Sequence, residues 1–141
     1  MRQGIQTLMS EAGESACYAL CIIEIAERIS KKSFDVISSI LAGISNGFIK
    51  YNFHDHTDPD NFYVLDPSKF LYFLVGTRWE VRKESATYIK RGNEYEVDVW
   101  EYKPAGKVVY HFRLPDWDSL EDSNTVKYGK VVSKRIYKRI G

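Results

Sequence analysis

The chain has 141 residues, 44% apolar and 14% aromatic, which suits one folded domain with its own core and excludes a disordered polar chain. Lysine and arginine number 20 against 19 aspartates and glutamates, so the charge balance predicts neither a nucleic-acid nor a membrane partner. Cys17 and Cys21 share one expected helix face, a poor geometry for a disulfide, and no export signal is seen, so both are expected reduced in a cytoplasmic protein.

Near the start, Ile5, Leu8 and Met9 lie at helical spacing and predict a short first helix. Glu11-Ala-Gly-Glu-Ser15 is a small, polar approach to the next one, with Ser15 or Glu14 near the cap. Ser15 to Ser30 is then the element around which the chain is organised. Its polar residues Glu24, Glu27 and Arg28, continued by Lys31, fall on one stripe, and nearly everything else is apolar. Such a helix is buried around most of its circumference. The apolar run from Cys17 to Ile23 is too short to cross a bilayer and stops at Glu24. Cys17 sits in the first turn, where unpaired N–H groups and the helix dipole favour a thiolate. Cys21, one turn deeper, reads as a packing residue.

Lys31-Lys32 suits a helix end, and Ser33 reads as the next N-cap with Asp35 in the first turn. Ile37, Ile40, Leu41 and Ile44 give the following helix an apolar stripe that Asn46-Gly47 terminates. Residues 48–65 are mixed, and within them His54-Asp-His-Thr-Asp-Pro-Asp60 reads as a loop. Imidazoles and carboxylates are metal ligands, but this run lacks the glycine and terminal glutamate of an EF-hand. A solvated loop is expected, with His54 and His56 holding no metal. Asp66-Pro67 restarts a helix, Phe70, Leu71 and Leu74 line it, and Gly76 stops it.

From Trp79 the period changes to two. Trp79 to Lys83 alternates weakly and Tyr95 to Tyr102 better, followed by the turn Lys103-Pro-Ala-Gly106 and a return strand from Lys107 to Leu114. Leu114-Pro-Asp-Trp117 is a second turn. A polar loop from Ser119 to Gly129 precedes a last strand, Lys130 to Ile140, with Val132, Ile136 and Ile140 on one side. Its cations Lys130, Lys134, Arg135, Lys138 and Arg139 spread over both faces, as on a solvated edge strand that resists further pairing. Helices first and antiparallel strands afterwards make an α+β domain spanning residues 1–141.

Cys17 and His111 are the pair with chemical potential. In a thiol hydrolase a histidine holds the cysteine as thiolate and then protonates the leaving group, while a third side chain fixes the ring. On the return strand Val109, His111 and Arg113 share a face. A two-residue turn at Pro115-Asp116 pairs Arg113 with Asp118 and puts Asp118 diagonal to His111. Asp118 is therefore the expected orienting carboxylate, ahead of Asp116 and Asp122.

Gly13-Glu-Ser-Ala-Cys17-Tyr-Ala-Leu-Cys21, followed by His111-Phe on a strand, resembles the cysteine-peptidase superfamily of papain and its smaller bacterial relatives. The tail from Asp118 to Gly129, with Ser133-Lys-Arg-Ile-Tyr137 after it, is similar to an uncharacterised group of phage- and spirochaete-associated proteins. The resemblance implies a papain-like fold with Cys17 as nucleophile, His111 as base and Asp118 as orienter. It places Glu11 where that superfamily usually has an oxyanion-binding glutamine. An ionised carboxylate cannot donate a hydrogen bond and repels the developing charge. Either Glu11 is not the equivalent residue, or Gln6 or a backbone N–H serves, or the site is degenerate.

The expected activity is thiolate hydrolysis of a peptide or amide bond, with Ser15 and Tyr18 beside the nucleophile and no cofactor. The rival is a non-catalytic papain-like module that binds a partner through its cleft or sheet edge.

Overall fold

Helix α1, Cys17–Ser30, opens the computed structural model, which describes residues 16–51, 62–117 and 128–141. Between Cys17 and Ala26 every residue except Tyr18 and Glu24 is buried, so apolar contact surrounds the helix as its sequence demands. The polar stripe is put to use. Glu24 pairs with Arg28 at 3.5 Å, and Glu27 accepts a 2.8 Å hydrogen bond from the Phe34 N–H, tying the helix to the turn that leaves it. Lys31 ends α1 in the left-handed region, at φ 55°.

Helix α2, Val36–Ser45, is capped by Asp35 and not by Ser33. The Asp35 carboxylate accepts from the Ser38 N–H at 2.7 Å, and that bond holds its pKa below the ordinary value. The buried face also differs from the expected stripe. Val36, Ser39, Ile40 and Gly43 point inward, while Ile37 and Leu41 are exposed. Gly43 explains the rotation. A Cβ there would lie 2.6 Å from Ile49 Cδ1 and 3.1 Å from Phe70 Cε1, so the bare backbone lets both side chains approach. Asn46 and Gly47, at φ 80°, close the helix as its sequence signals.

Residues 48–65, read only as mixed, contain a short antiparallel hairpin. Strand β1, Ile49–Tyr51, pairs with β2, Phe62–Val64, in the register Ile49 to Val64, and the rings of Tyr51 and Phe62 meet edge to face at 5.3 Å. Helix α3, Pro67–Val75, follows the expected grammar. Asp66 accepts from the Lys69 N–H at 3.0 Å, Pro67 takes the first turn, and Gly76 ends the helix at φ 79°. Phe70 and Leu71 are fully buried and Leu74 half-buried. Helix α1 packs against α2, α3 and β2, while β1 lies on α2.

The second half is a four-stranded sheet. Its strands are β3 (Trp79–Ser85), β4 (Glu94–Tyr102), β5 (Val109–Arg113) and β6 (Lys130–Arg139), in the order β3-β6-β4-β5. Strand β4 runs antiparallel to both β5 and β6. A short 3-10 turn, Pro104–Gly106, joins β4 to β5, with Ala105 and Gly106 at positive φ.

The last strand is therefore interior, not the solvated edge its cations suggested. Two of those cations have defined partners. Lys134 lies 3.4 Å from the Glu96 carboxylate and donates to the Tyr88 carbonyl at 2.8 Å. Arg135 donates to Ser133 Oγ and stands 6.0 Å over the Phe112 ring. A bulge explains why the expected alternation fails. Val99 pairs with Ser133 but Trp100 pairs with Val131, leaving Val132 as the extra residue. Ser133, Ile136 and Tyr137 are buried instead, and Ile140, beyond the strand, is 60% exposed.

Strand β4 begins in an ionic knot. Glu94 accepts from the Arg91 N–H at 2.8 Å, from Arg82 at 2.8 Å and from the Tyr88 hydroxyl at 2.7 Å. Arg82 also reaches Glu84 at 2.7 Å. The Arg91 N–H contributes most to holding the Glu94 carboxyl down, and against the opposing effect of burial its pKa falls to about 2. By contact density the chain divides into two compact units, residues 1–79 with 141 and residues 80–140. The class is α+β. No helix among the described residues is long and apolar enough to cross a membrane.

Candidate functional site

Cys17 is the first residue of α1 and is 3% exposed. It follows Ala16, whose side chain offers no capping oxygen, and no acidic residue stands in the first turn to compete with a thiolate for the dipole. Cys21 lies one turn on and is fully buried. Neither cysteine is in a disulfide. Tyr18 is half-buried beside them. Ser15, Gln6 and Glu11, the other residues expected near the nucleophile, lie outside the described residues, as do His54 and His56.

His111 stands on β5, which is an edge strand of the sheet. The hairpin register sets Trp100 opposite His111, Asp98 opposite Arg113 and Tyr102 opposite Val109. Residues directly opposite in an antiparallel pair point to the same side, so these six share one face of the sheet. The next ladder sets Lys134 of β6 opposite Asp98.

This face reverses the usual arrangement. His111 and Arg113 are 4% and 8% exposed, while Tyr110 on the opposite face of β5 is 52% exposed. Arg113 donates through Nη2 to the Trp117 carbonyl, and the Trp117 N–H reaches the Leu114 carbonyl at 3.2 Å. Those two bonds close the turn that the sequence placed at residues 114–117. Asp116 is exposed on it, and Asp118 and Asp122 lie outside the described residues.

Asp98 is 9% exposed. Its removal from water, reinforced by a hydrogen bond and like-charge repulsion with Glu96, raises its pKa to about 7 against the pull of Lys134 and Arg113. Asp98 Oδ1 and Trp100 Nε1 are buried with no hydrogen-bond partner among the described residues. Unmet groups of this kind are uncommon in folded proteins.

The sequence reading picked out His111 and Arg113 and missed Asp98, Glu96 and Lys134. The alternation Glu94, Glu96, Asp98 was visible in the strand. What brings it to His111 is a register across a connection of six residues, 103–108, and no turn motif of that length fixes one. The thiol belongs to the first compact unit and the imidazole to the second. Among the described residues no group of three metal-ligating side chains is gathered.

No curated protein matches the chain. No solved structure matches it either. Residues 1–139, which run through both units, match the family described as "Protein of unknown function, DUF261".

Proposed function

For a chain that belongs to this family of unknown function, we propose a cysteine-dependent hydrolase of papain-like type, acting in the cytoplasm on a peptide or amide bond. The observation that carries the reading is Cys17 as the opening residue of a 14-residue helix. Cys17 attacks the carbonyl carbon as thiolate, and the first-turn N–H groups stabilise the oxyanion that forms. His111 protonates the departing amine to leave a thioester, then takes a proton from water as that ester is hydrolysed. A carboxylate orients the ring. No cofactor takes part. Supporting the reading are two cysteines outside any disulfide and a buried histidine on a sheet face that also carries Asp98.

The test is iodoacetamide labelling of the folded chain across pH, with each cysteine quantified by mass spectrometry. Cys17 is expected to label faster than Cys21 and at a pH below the free thiol value of about 8.5. His111→Ala is expected to move the Cys17 profile to higher pH. Equal, slow labelling of both thiols that ignores His111→Ala would reject the hydrolase.

The alternative is a non-catalytic binding module of the same fold. One feature favours it, an apolar groove of about 450 Å³ in the first unit, lined by Phe48, Lys69, Tyr72, Phe73 and Gly76. Tyr72 and Phe73 stand 46% and 47% exposed there without a described cover.

A further inference from the structure

Resting on the hydrolase reading, we infer that Asp98, backed by Glu96, is the carboxylate that positions His111 and raises its proton affinity. The ground is the register. With Trp100 opposite His111 and Asp98 opposite Arg113, Asp98 is the diagonal neighbour of His111 on the same face. Such neighbours have backbones about 7–8 Å apart, within reach of two side chains that lean toward each other.

Burial is the second ground. Both groups are more than nine-tenths shielded, and Oδ1 of Asp98 has no hydrogen-bond partner among the described residues. A charge there interacts far more strongly than on a solvated turn.

Among the described residues, the strand pairing places several charged or titratable groups near His111. Strand β4 brings Glu96, Asp98 and Tyr102, β5 brings Arg113, and β6 brings Lys134. Lys134 pairs with Glu96 and Arg113 closes its own turn, and from there both cations also pull on the Asp98 charge. Once it loses its proton, the Asp98 carboxylate adds a negative charge on the face that carries His111. That charge favours the imidazolium over the neutral ring. Asp98 touches no substrate in this scheme and acts through the ring.

The experiment is an NMR pH titration of the three histidines, with His111 identified by His111→Gln. Asp98→Asn is expected to lower the His111 midpoint by about one pH unit, a tenfold loss of proton affinity. Asp98→Glu is expected to restore most of it, and Asp118→Asn to leave it unchanged within about 0.3 unit. An unmoved midpoint in Asp98→Asn, or a larger shift in Asp118→Asn, overturns the assignment. The unaltered chain supplies a readout that no folding defect can remove. Coupled groups each register the other's titration, so the His111 ring signals are expected to show a second inflection with the Asp98 carboxyl carbon. A single-step ring titration overturns the inference by itself. Coupling beside an inert Cys17 would instead reject the hydrolase while leaving the Asp98–His111 link standing. A reactive Cys17 without coupling would keep the hydrolase and assign the orienting role elsewhere.

Discussion

Adding one methyl group at Gly43 tests the close approach of α2 to β1. In an open helix, Gly43→Ala would gain about 1 kcal/mol from backbone propensity. Here the new Cβ would meet Ile49 Cδ1 at 2.6 Å, Ile49 Cγ1 at 3.1 Å and Phe70 Cε1 at 3.1 Å. Carbon atoms at rest sit about 3.5–4.0 Å apart, so the nearest contact is nearly an ångström too short. Ile49 is 2% exposed and Phe70 fully buried, which leaves little room for either to retreat. Overpacking of this kind costs about 1–3 kcal/mol, and after the propensity gain the net loss is expected near 1 kcal/mol. Ile49→Val deletes the offending Cδ1 and by itself costs about 1 kcal/mol. Were the two changes independent, the double variant would lose about 2 kcal/mol. The structure predicts less, a loss of about 1 kcal/mol or under, because alanine then keeps its helical advantage without the worst clash. Urea unfolding followed by far-UV circular dichroism reads all four chains of the cycle. A Gly43→Ala variant more stable than the original, or strict additivity, would refute the packing argument.

Two further predictions concern the ionic knot and the pair His54 and His56. Glu94 titrates near 2 when folded and near 4.5 when unfolded, so it binds fewer protons in the native state. The stability it supplies is fully present above about pH 4.5 and is lost as pH falls toward 2. Glu94→Gln is therefore expected to be the less stable chain at neutral pH and to show a shallower acid-induced loss, measured as melting temperature against pH. A variant with an unchanged acid slope would contradict the knot. For His54 and His56, chelator is expected to leave the melting temperature unchanged and zinc to add no stability. A chelator-induced drop, reversed by one equivalent of metal, would establish a metal site at those histidines.

The elements most legible in the sequence were those whose ends carry their own chemistry. Asp66-Pro67, Gly76 and Asn46-Gly47 determine local backbone geometry almost alone, and the structure puts helix boundaries there. The turn at 114–117 was equally local. Ser33 was a poor choice of cap because Asp35, two residues on, offers a charged acceptor to the first-turn N–H of Ser38. The second helix showed more apolar residues than it buries, and Gly43, contributing nothing to any hydrophobic stripe, decided which face turns inward. Strand β6 looked like an edge because a lone strand cannot reveal that Lys134 and Arg135 have partners on other strands. The candidate site divides in the same way. Cys17 at a helix start was readable from residues next to it, whereas Asp98 reaches the neighbourhood of His111 only through a strand pairing.

The strand order has a kinetic consequence. Strands β3 and β4 leave the ribosome well before β6, which must afterwards pair between them. From Tyr102 to Arg139 synthesis takes about 2–7 s at ordinary elongation rates of about 5–20 residues per second. Through that interval β4 can pair with β5 on one side, while the side destined for β6 stays open with Val97 and Val99 awaiting burial. A half-built sheet of this kind is a template for pairing with another nascent chain or for capture by a chaperone. Slowing translation after residue 102 would lengthen the exposure, and the yield of soluble protein is where that delay would first register.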